Sequence, residues 1–229
     1  MKSLAFYLRF LPLLALIQPL QAQDWPNLSQ FAEANATLGP PQPGEERVVF
    51  MGNSITIGWL NTMPEFFEGR PYIDRGISGQ TTPQMLLRFR QDVIELQPEV
   101  VVILAGTNDI AGNTGPETQD MILDNIKSMT ELARANGIAV VLSSVLPAFD
   151  YPWRPGMHPN EKIPALNAAI KAYAIANDLV YLDYFPALAN DKNGMDADLA
   201  KDGVHPTKKG YEIMAPLAEA AIQKALEDQ

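Results

Sequence analysis

"VVFMGNSITIGW" (Val48–Trp59) runs from an unbroken apolar stretch into Gly-Asn-Ser and then into a further apolar-rich segment. A strand that is apolar throughout, rather than alternating, is one buried on both faces. Ser54 therefore stands where a buried strand gives way to a helix. Taken alone, a serine in that position reads as an ordinary N-cap. It also stands where an α/β sheet opens toward a ligand, so the remainder of the chain has to decide between cap and nucleophile.

The pattern begun at Val48 repeats. Apolar runs of strand length recur as "RVVFM", "YIDRGI", "EVVVILA", "IAVVLSSVL" and "LVYLDYF", beginning at Arg47, Tyr72, Glu99, Ile138 and Leu179. Between them "TTPQMLLRFRQDVIEL", "ETQDMILDNIKSMTELARANG" and "PNEKIPALNAAIKAYAIAND" have helical periodicity. In the second of these Ile122, Ile126, Met129 and Ala133 form one stripe, and Gly137 supplies a stop. The expected fold class is α/β: a three-layer α/β/α domain around a five-stranded parallel sheet, with right-handed crossovers.

Around this core, residues 47–229 form the expected domain. Residues 23–46 form an N-terminal extension with a short helix near Leu28–Ala36 and a Pro/Gly-rich linker. Residues 1–22 have the layout of a secretory signal peptide, with Lys2 and Arg9 ahead of "FLPLLALIQPL" and a small residue, Ala22, at the expected cut. The apolar run is about half the ~20 residues of a membrane-spanning helix and carries Pro12 and Pro19, which disfavours a permanent anchor. The expected location is periplasmic or extracellular.

Composition narrows the chemistry. Taking Lys2 and Arg9 from the 17 Lys+Arg leaves 15 against 27 Asp+Glu, a formal net charge of −12 for the chain after Ala22. With no basic run, nucleic acid is excluded as a partner. The absence of cysteine removes disulfides, thiol nucleophiles and lipidated cysteines, and the 2 histidines leave no ligand pair at helical spacing. No cofactor or metal is expected, and the P-loop and Gly-x-Gly-x-x-Gly patterns are missing.

In an open parallel sheet, ligands bind beyond the carboxyl ends of the strands. The segments leaving those ends are "GNSITIGW", "RGISGQTT", "AGTNDIAGNTGP" and "PAFDYPWRPGMHP", with "KDGVHPTKKGY" before the last helix. They hold nearly every residue able to do chemistry. A serine nucleophile needs an imidazole base and commonly a carboxylate that fixes its tautomer. His158 lies in a Pro-rich loop with no acid nearby until Glu161, whereas His205 has Asp202 three residues before it on a turn that ends at Pro206. His205 is the better base. An oxyanion needs preorganised donors. The Ser54 N–H at a helix start, Gly79 in "GISGQ" and the amide of Asn108 in "GTND" come from three adjacent loops.

Together "GNS" (52–54), Gly79 in "RGISGQT", "GTND" (106–109) and "DGVHP" (202–206) resemble, in order and spacing, the four sequence blocks of the SGNH (GDSL-type) hydrolases. The likeness extends from about Arg47 to the last helix. It is similar in kind to bacterial secreted members related to platelet-activating-factor acetylhydrolase subunits. The resemblance implies a flavodoxin-like SGNH fold, with Ser54 as nucleophile, His205 as base and Asp202 as its orienting acid. It implies an oxyanion hole of Ser54 N–H, Gly79 N–H and the Asn108 side chain. Asn53 departs from the family name, which has aspartate there.

The implied activity is an exported serine esterase acting on short-chain, chiefly acetyl, carboxylic esters, with O-acetylated carbohydrates the preferred class. Lysophospholipase, arylesterase and thioesterase activities occur on the same fold, and a non-catalytic carbohydrate-binding relative is the rival from another class. Asn53, Trp59, Tyr151, Trp153 and Arg154 are candidate substrate contacts, the aromatics as sugar-stacking or acyl-pocket walls. Packing of the loop over the sheet is the competing reading. Asp109 is read as fixing its loop by accepting hydrogen bonds, and Ser78 as loop structure.

Overall fold

The computed structural model describes residues 23–228. The leader reading of residues 1–22 lies outside the described residues. Among the latter, no helix is long and apolar enough to cross a membrane.

The strands are β1 (Val48–Gly52), β2 (Tyr72–Gly76), β3 (Val100–Ile103), β4 (Ala139–Ser143) and β5 (Val180–Leu182). They pair in parallel throughout in the order β2-β1-β3-β4-β5, the doubly wound order, whose direction reverses between β1 and β3. The helices are α1 (Ala32–Leu38), α2 (Ser54–Thr62), α3 (Thr82–Asp92), α4 (Thr107–Ile110), α5 (Gln119–Ala135), α6 (Pro159–Ala176), α7 (Phe185–Leu188) and α8 (Lys208–Glu227).

The apolar strand residues divide between two cores. On β1, Val49 and Met51 pack with α3, α5 and α6 through Met85, Phe89, Ile126, Met129 and Leu166. Val48 and Phe50 face the other way, onto Ile55 and Trp59 of α2 and Tyr211, Met214 and Ile222 of α8. This two-sided burial is why the strands lack polar alternation. At ~25 cal/mol per Å² of apolar area, the two cores are the main source of stability in a chain without disulfides.

The carboxyl end of the sheet is shaped by close packing of α2. A Cβ built at Gly76 lies 2.3 Å from the Ile57 backbone nitrogen, so only glycine lets the first turn of α2 rest on the end of β2. That contact sets the height at which Ser54 leaves β1.

The N-terminal extension is strapped along α3. Gln80 donates to the Pro26 carbonyl at 2.8 Å, Gln84 to Trp25 at 2.7 Å and Gln91 to Leu28 at 2.6 Å. Asn35 donates to Asp92 at 2.7 Å and accepts from Arg75 at 2.9 Å. The helix expected near Leu28–Ala36 runs instead over Ala32–Leu38, because Asp24 accepts from the Leu28 and Ser29 N–H groups and folds those residues into a turn.

Candidate active site

Ser54 is the first residue of α2, and the residue that caps this helix is its neighbour. The Asn53 side chain accepts from the Ile55 N–H at 3.0 Å and is 1% exposed. Asn53 therefore serves the helix, which corrects its reading as a substrate contact, and Ser54 is relieved of capping. The Ser54 N–H, one of the four orphan donors of a helix start, has no acceptor among the described residues.

The turn before α8 delivers the imidazole. Asp202 Oδ1 accepts from the Val204 N–H at 3.0 Å and the His205 N–H at 2.8 Å, and its Oδ2 lies 2.6 Å from His205 Nδ1. The Thr207 side chain then caps α8. At the far side of the ring, His205 Nε2 lies 2.9 Å from Ser54 Oγ, joining residues 151 positions apart. Partial burial alone would push the Asp202 carboxyl up. The His205 and Val204 N–H groups and the His205 ring outweigh that and hold it below the usual carboxylate range.

Two further loops close the site. Gly79 follows β2 with φ +78°, a conformation that favours glycine, and its N–H has no acceptor among the described residues. Asn108 lies in the one-turn helix α4 after β3 and donates through Nδ2 to the Gln80 carbonyl at 2.9 Å. Ser54, Ser78, Gly79, Asn108, Asn113, Trp153 and His205 line a single cleft of about 330 Å³. The arrangement can deprotonate a hydroxyl and present N–H donors to an oxygen that gains charge beside it.

The aromatic candidates divide. Trp153 is 43% exposed, lies 6.0 Å from the His205 ring and donates to Asn113 Oδ1 at 3.3 Å. Tyr151 is fully buried beneath it, stacked at 5.0 Å, with its hydroxyl 2.9 Å from Thr107 Oγ1. Trp59 is 2% exposed and stacks on Phe66 and Tyr211 in the α2–α8 core. Tyr151 and Trp59 are thus packing residues and not cleft walls. Arg154 lies outside the cleft lining and binds the Gly112 carbonyl at 2.7 Å. His158 is exposed at the start of α6, in a left-handed conformation and away from the cleft.

Asn113 was not singled out from the sequence, although "GTNDIAGN" places it in the same strand-end loop as Asn108. It joins the cleft's two sides, donating to the Gly79 carbonyl at 3.2 Å while accepting from Trp153. Asp109 is 1% exposed and accepts from both the Thr82 N–H (2.8 Å) and hydroxyl (2.5 Å), so it ties α4 to the start of α3. Burial, aided by the nearby Glu117 charge, pushes its carboxyl up to about 7 against the opposing Thr82 bonds. Among the described residues no three His, Asp or Glu side chains are grouped to hold a metal ion.

Residues 50–213 match the GDSL-like lipase/acylhydrolase family model, and the chain belongs to that family. A GDSL-like lipase from Bacteroides thetaiotaomicron VPI-5482 superposes with a TM-score of 0.85 at 52% identity, covering 88% of this chain and 99% of that one. An acetylxylan esterase of Xylanibacter ruminicola is 27% identical over 222 residues, 80% of this chain and 45% of its own length. YqeF, an uncharacterized lipoprotein of Bacillus subtilis (strain 168), is 30% identical over 131 residues, 50% of this chain and 54% of its own. The chain thus spans about half the length of these curated relatives.

Proposed function

We propose that this protein is an exported serine esterase that removes short acyl groups, chiefly acetyl, from hydroxyls of carbohydrates. The observation that carries the reading is the 2.9 Å approach of His205 Nε2 to Ser54 Oγ beside the unpaired N–H groups of Ser54 and Gly79 and the amide of Asn108. In this reading His205 takes the Ser54 proton as Oγ bonds to the ester carbonyl carbon. The carbonyl oxygen becomes the anion that those three donors hold. The C–O bond to the alcohol breaks as His205 returns the proton to the leaving oxygen. Water then repeats the sequence on the acyl-serine, releasing the acid and restoring Ser54.

The acyl and alcohol preferences rest on the cleft and on kinship. A cleft of about 330 Å³ with the exposed ring of Trp153 at one side suits a small acyl group and a flat sugar face. The acetylxylan esterase relative points to the same class. Export is supported by the leader-like layout of residues 1–22 and by a relative that is a lipoprotein.

The test is turnover of p-nitrophenyl acetate and acetate release from acetylated oligosaccharides by wild type and Ser54→Ala. The variant loses at least about 10⁴-fold in kcat if Ser54 is the nucleophile. Equal turnover by the two proteins would remove Ser54 from the mechanism.

A further inference from the structure

The three donors of the cleft come from loops after three different strands, so something must hold those loops in register. Within the cleft Asn113 ties its loop to the Gly79 carbonyl, but the Asn108 amide itself has one acceptor among the described residues, the Gln80 carbonyl. The connection runs beneath the surface. Gln80 is 2% exposed and, besides the turn bond from its N–H to the Ile77 carbonyl, makes three attachments to other segments. Its main-chain carbonyl accepts one Nδ2–H of Asn108 at 2.9 Å. Its side-chain Oε1 accepts from Arg88 Nε at 2.6 Å. Its side-chain Nε2 donates to the Pro26 carbonyl of the N-terminal strap at 2.8 Å.

Arg88 is fully buried and extends the same network to the carboxyl ends of β1 and β2. Its Nη2 donates to the Gly52 carbonyl at 3.0 Å, two residues before Ser54, and to the Arg75 carbonyl at 2.9 Å at the end of β2. Its Nη1 is paired with Asp92 at 3.0 Å, so the buried charge is compensated within the network. A carboxamide is planar. Once one N–H of Asn108 is committed to the Gln80 carbonyl, the direction of the second is set.

We propose that Gln80 is a positioning residue for the side-chain oxyanion donor, aiming the Asn108 amide through its main-chain carbonyl while Arg88 and the Pro26 carbonyl lock its side chain. The proposal rests on the esterase reading above, in which Asn108 is a donor to the oxyanion. Gln80 touches no reacting atom. Its effect passes through Asn108, and a donor misaimed by a few tenths of an ångström loses most where charge develops in the transition state.

The test is a double-mutant cycle on kcat for p-nitrophenyl acetate, with melting temperature and far-UV circular dichroism recorded for every variant. Gln80→Met removes both side-chain attachments, whereas Gln80→Glu keeps an acceptor for Arg88 and loses the donor to Pro26. Gln80→Met is expected to lower kcat about tenfold with KM within about twofold, and Gln80→Glu to lower it less. In an Asn108→Ala background the same substitution is expected to change kcat by less than about twofold, because the donor it aims is gone. Gln91→Ala cuts the strap at Leu28, away from the cleft, and leaves kcat unchanged.

A purely structural role for Gln80 would lower the melting temperature and reduce kcat by the same factor in both backgrounds, and that result would overturn the proposal. So would full activity of folded Gln80→Met. Should Gln80→Met fail to fold, the Gln80→Glu cycle decides by the same criterion. If Ser54→Ala and Asn108→Ala both retain wild-type kcat, the esterase reading itself falls. If both lose activity and the Gln80 cycle is additive, the positioning role alone falls.

Discussion

Asp202 grips His205 at both ends of its own carboxylate: Oδ1 receives the His205 main-chain N–H at 2.8 Å and Oδ2 meets Nδ1 of the same residue at 2.6 Å. The two oxygens are not interchangeable, because Oδ1 also serves the Val204 N–H. In Asp202→Asn the oxygen must stay with the two main-chain donors, which leaves the NH₂ facing Nδ1. That forces the tautomer with the proton on Nε2, which cannot accept from Ser54. The expected result is a fall in kcat of about 10³–10⁴ with little change in melting temperature. Steady-state kinetics on p-nitrophenyl acetate would show it, and a loss below tenfold would remove Asp202 from the role.

The same contacts make a pH prediction. The hydrogen bonds that outweigh burial keep Asp202 ionised below the usual carboxylate range. It therefore stays charged beside the imidazole through the usual carboxylate range and should add no ionisation of its own to the acid limb of kcat/KM above that range. A slope approaching two above pH 5 would mean that the carboxylate titrates with the ring.

Asn108→Ala removes the one side-chain group among the three proposed oxyanion donors. If that amide meets the oxyanion, kcat falls by about 10²–10³ while KM changes little, since the interaction tightens only as charge develops. Wild-type kcat in a folded variant would exclude the role.

The fold was legible because a sheet buried on both faces writes continuous apolar runs. "VVFM" and "EVVVILA" have no reading as half-wet strands; β3 falls inside the second, and β1 runs one residue past the first, to Gly52. That Ser54, Gly79, Asn108 and His205 would share one cleft was legible because strand-end loops concentrate polar residues. Which polar residue does what was harder. Asn53 and Ser54 are both good caps, and the choice depends on where the chain bends after Gly52, a matter of α2 packing against Gly76. Trp59 stands four residues after Ile55, a spacing that marks one helix face, and that signal pointed to the core. Tyr151 gave no such sign, because its partner Thr107 is 44 residues away.

The burial of Trp59 and the exposure of Trp153 separate these two tryptophans by experiment. Trp59→Ala should cost about 3–5 kcal/mol, since it empties a cluster built on Phe50, Phe66 and Tyr211. Trp153→Ala, at an exposed ring, should shift the melting temperature by less than about 3 °C. Its effect belongs to KM for acetylated oligosaccharides, expected to rise about three- to tenfold, with p-nitrophenyl acetate nearly unaffected. Equal KM changes on both substrates would mean that Trp153 does not stack on the sugar.

Asp109 supplies a stability prediction of opposite sign to the usual carboxylate. Its folded-state pKa is raised to about 7 by burial, with the Glu117 charge adding to it, against ~3.9 for an unfolded chain. Between those values the native state holds the proton more tightly than the unfolded state does. Stability from this group is therefore greatest at low pH, declines as pH rises from about 4, and levels off above about 7. Asp109→Asn keeps an oxygen for the Thr82 N–H and hydroxyl and has no charge to bury. Its melting temperature should match wild type below about pH 4 and exceed it increasingly up to pH 8, each ~1 kcal/mol appearing as about 2–4 °C. Calorimetry across that range checks this. A variant less stable than wild type at pH 8 would mean that the ionised carboxylate is what holds α4 to α3.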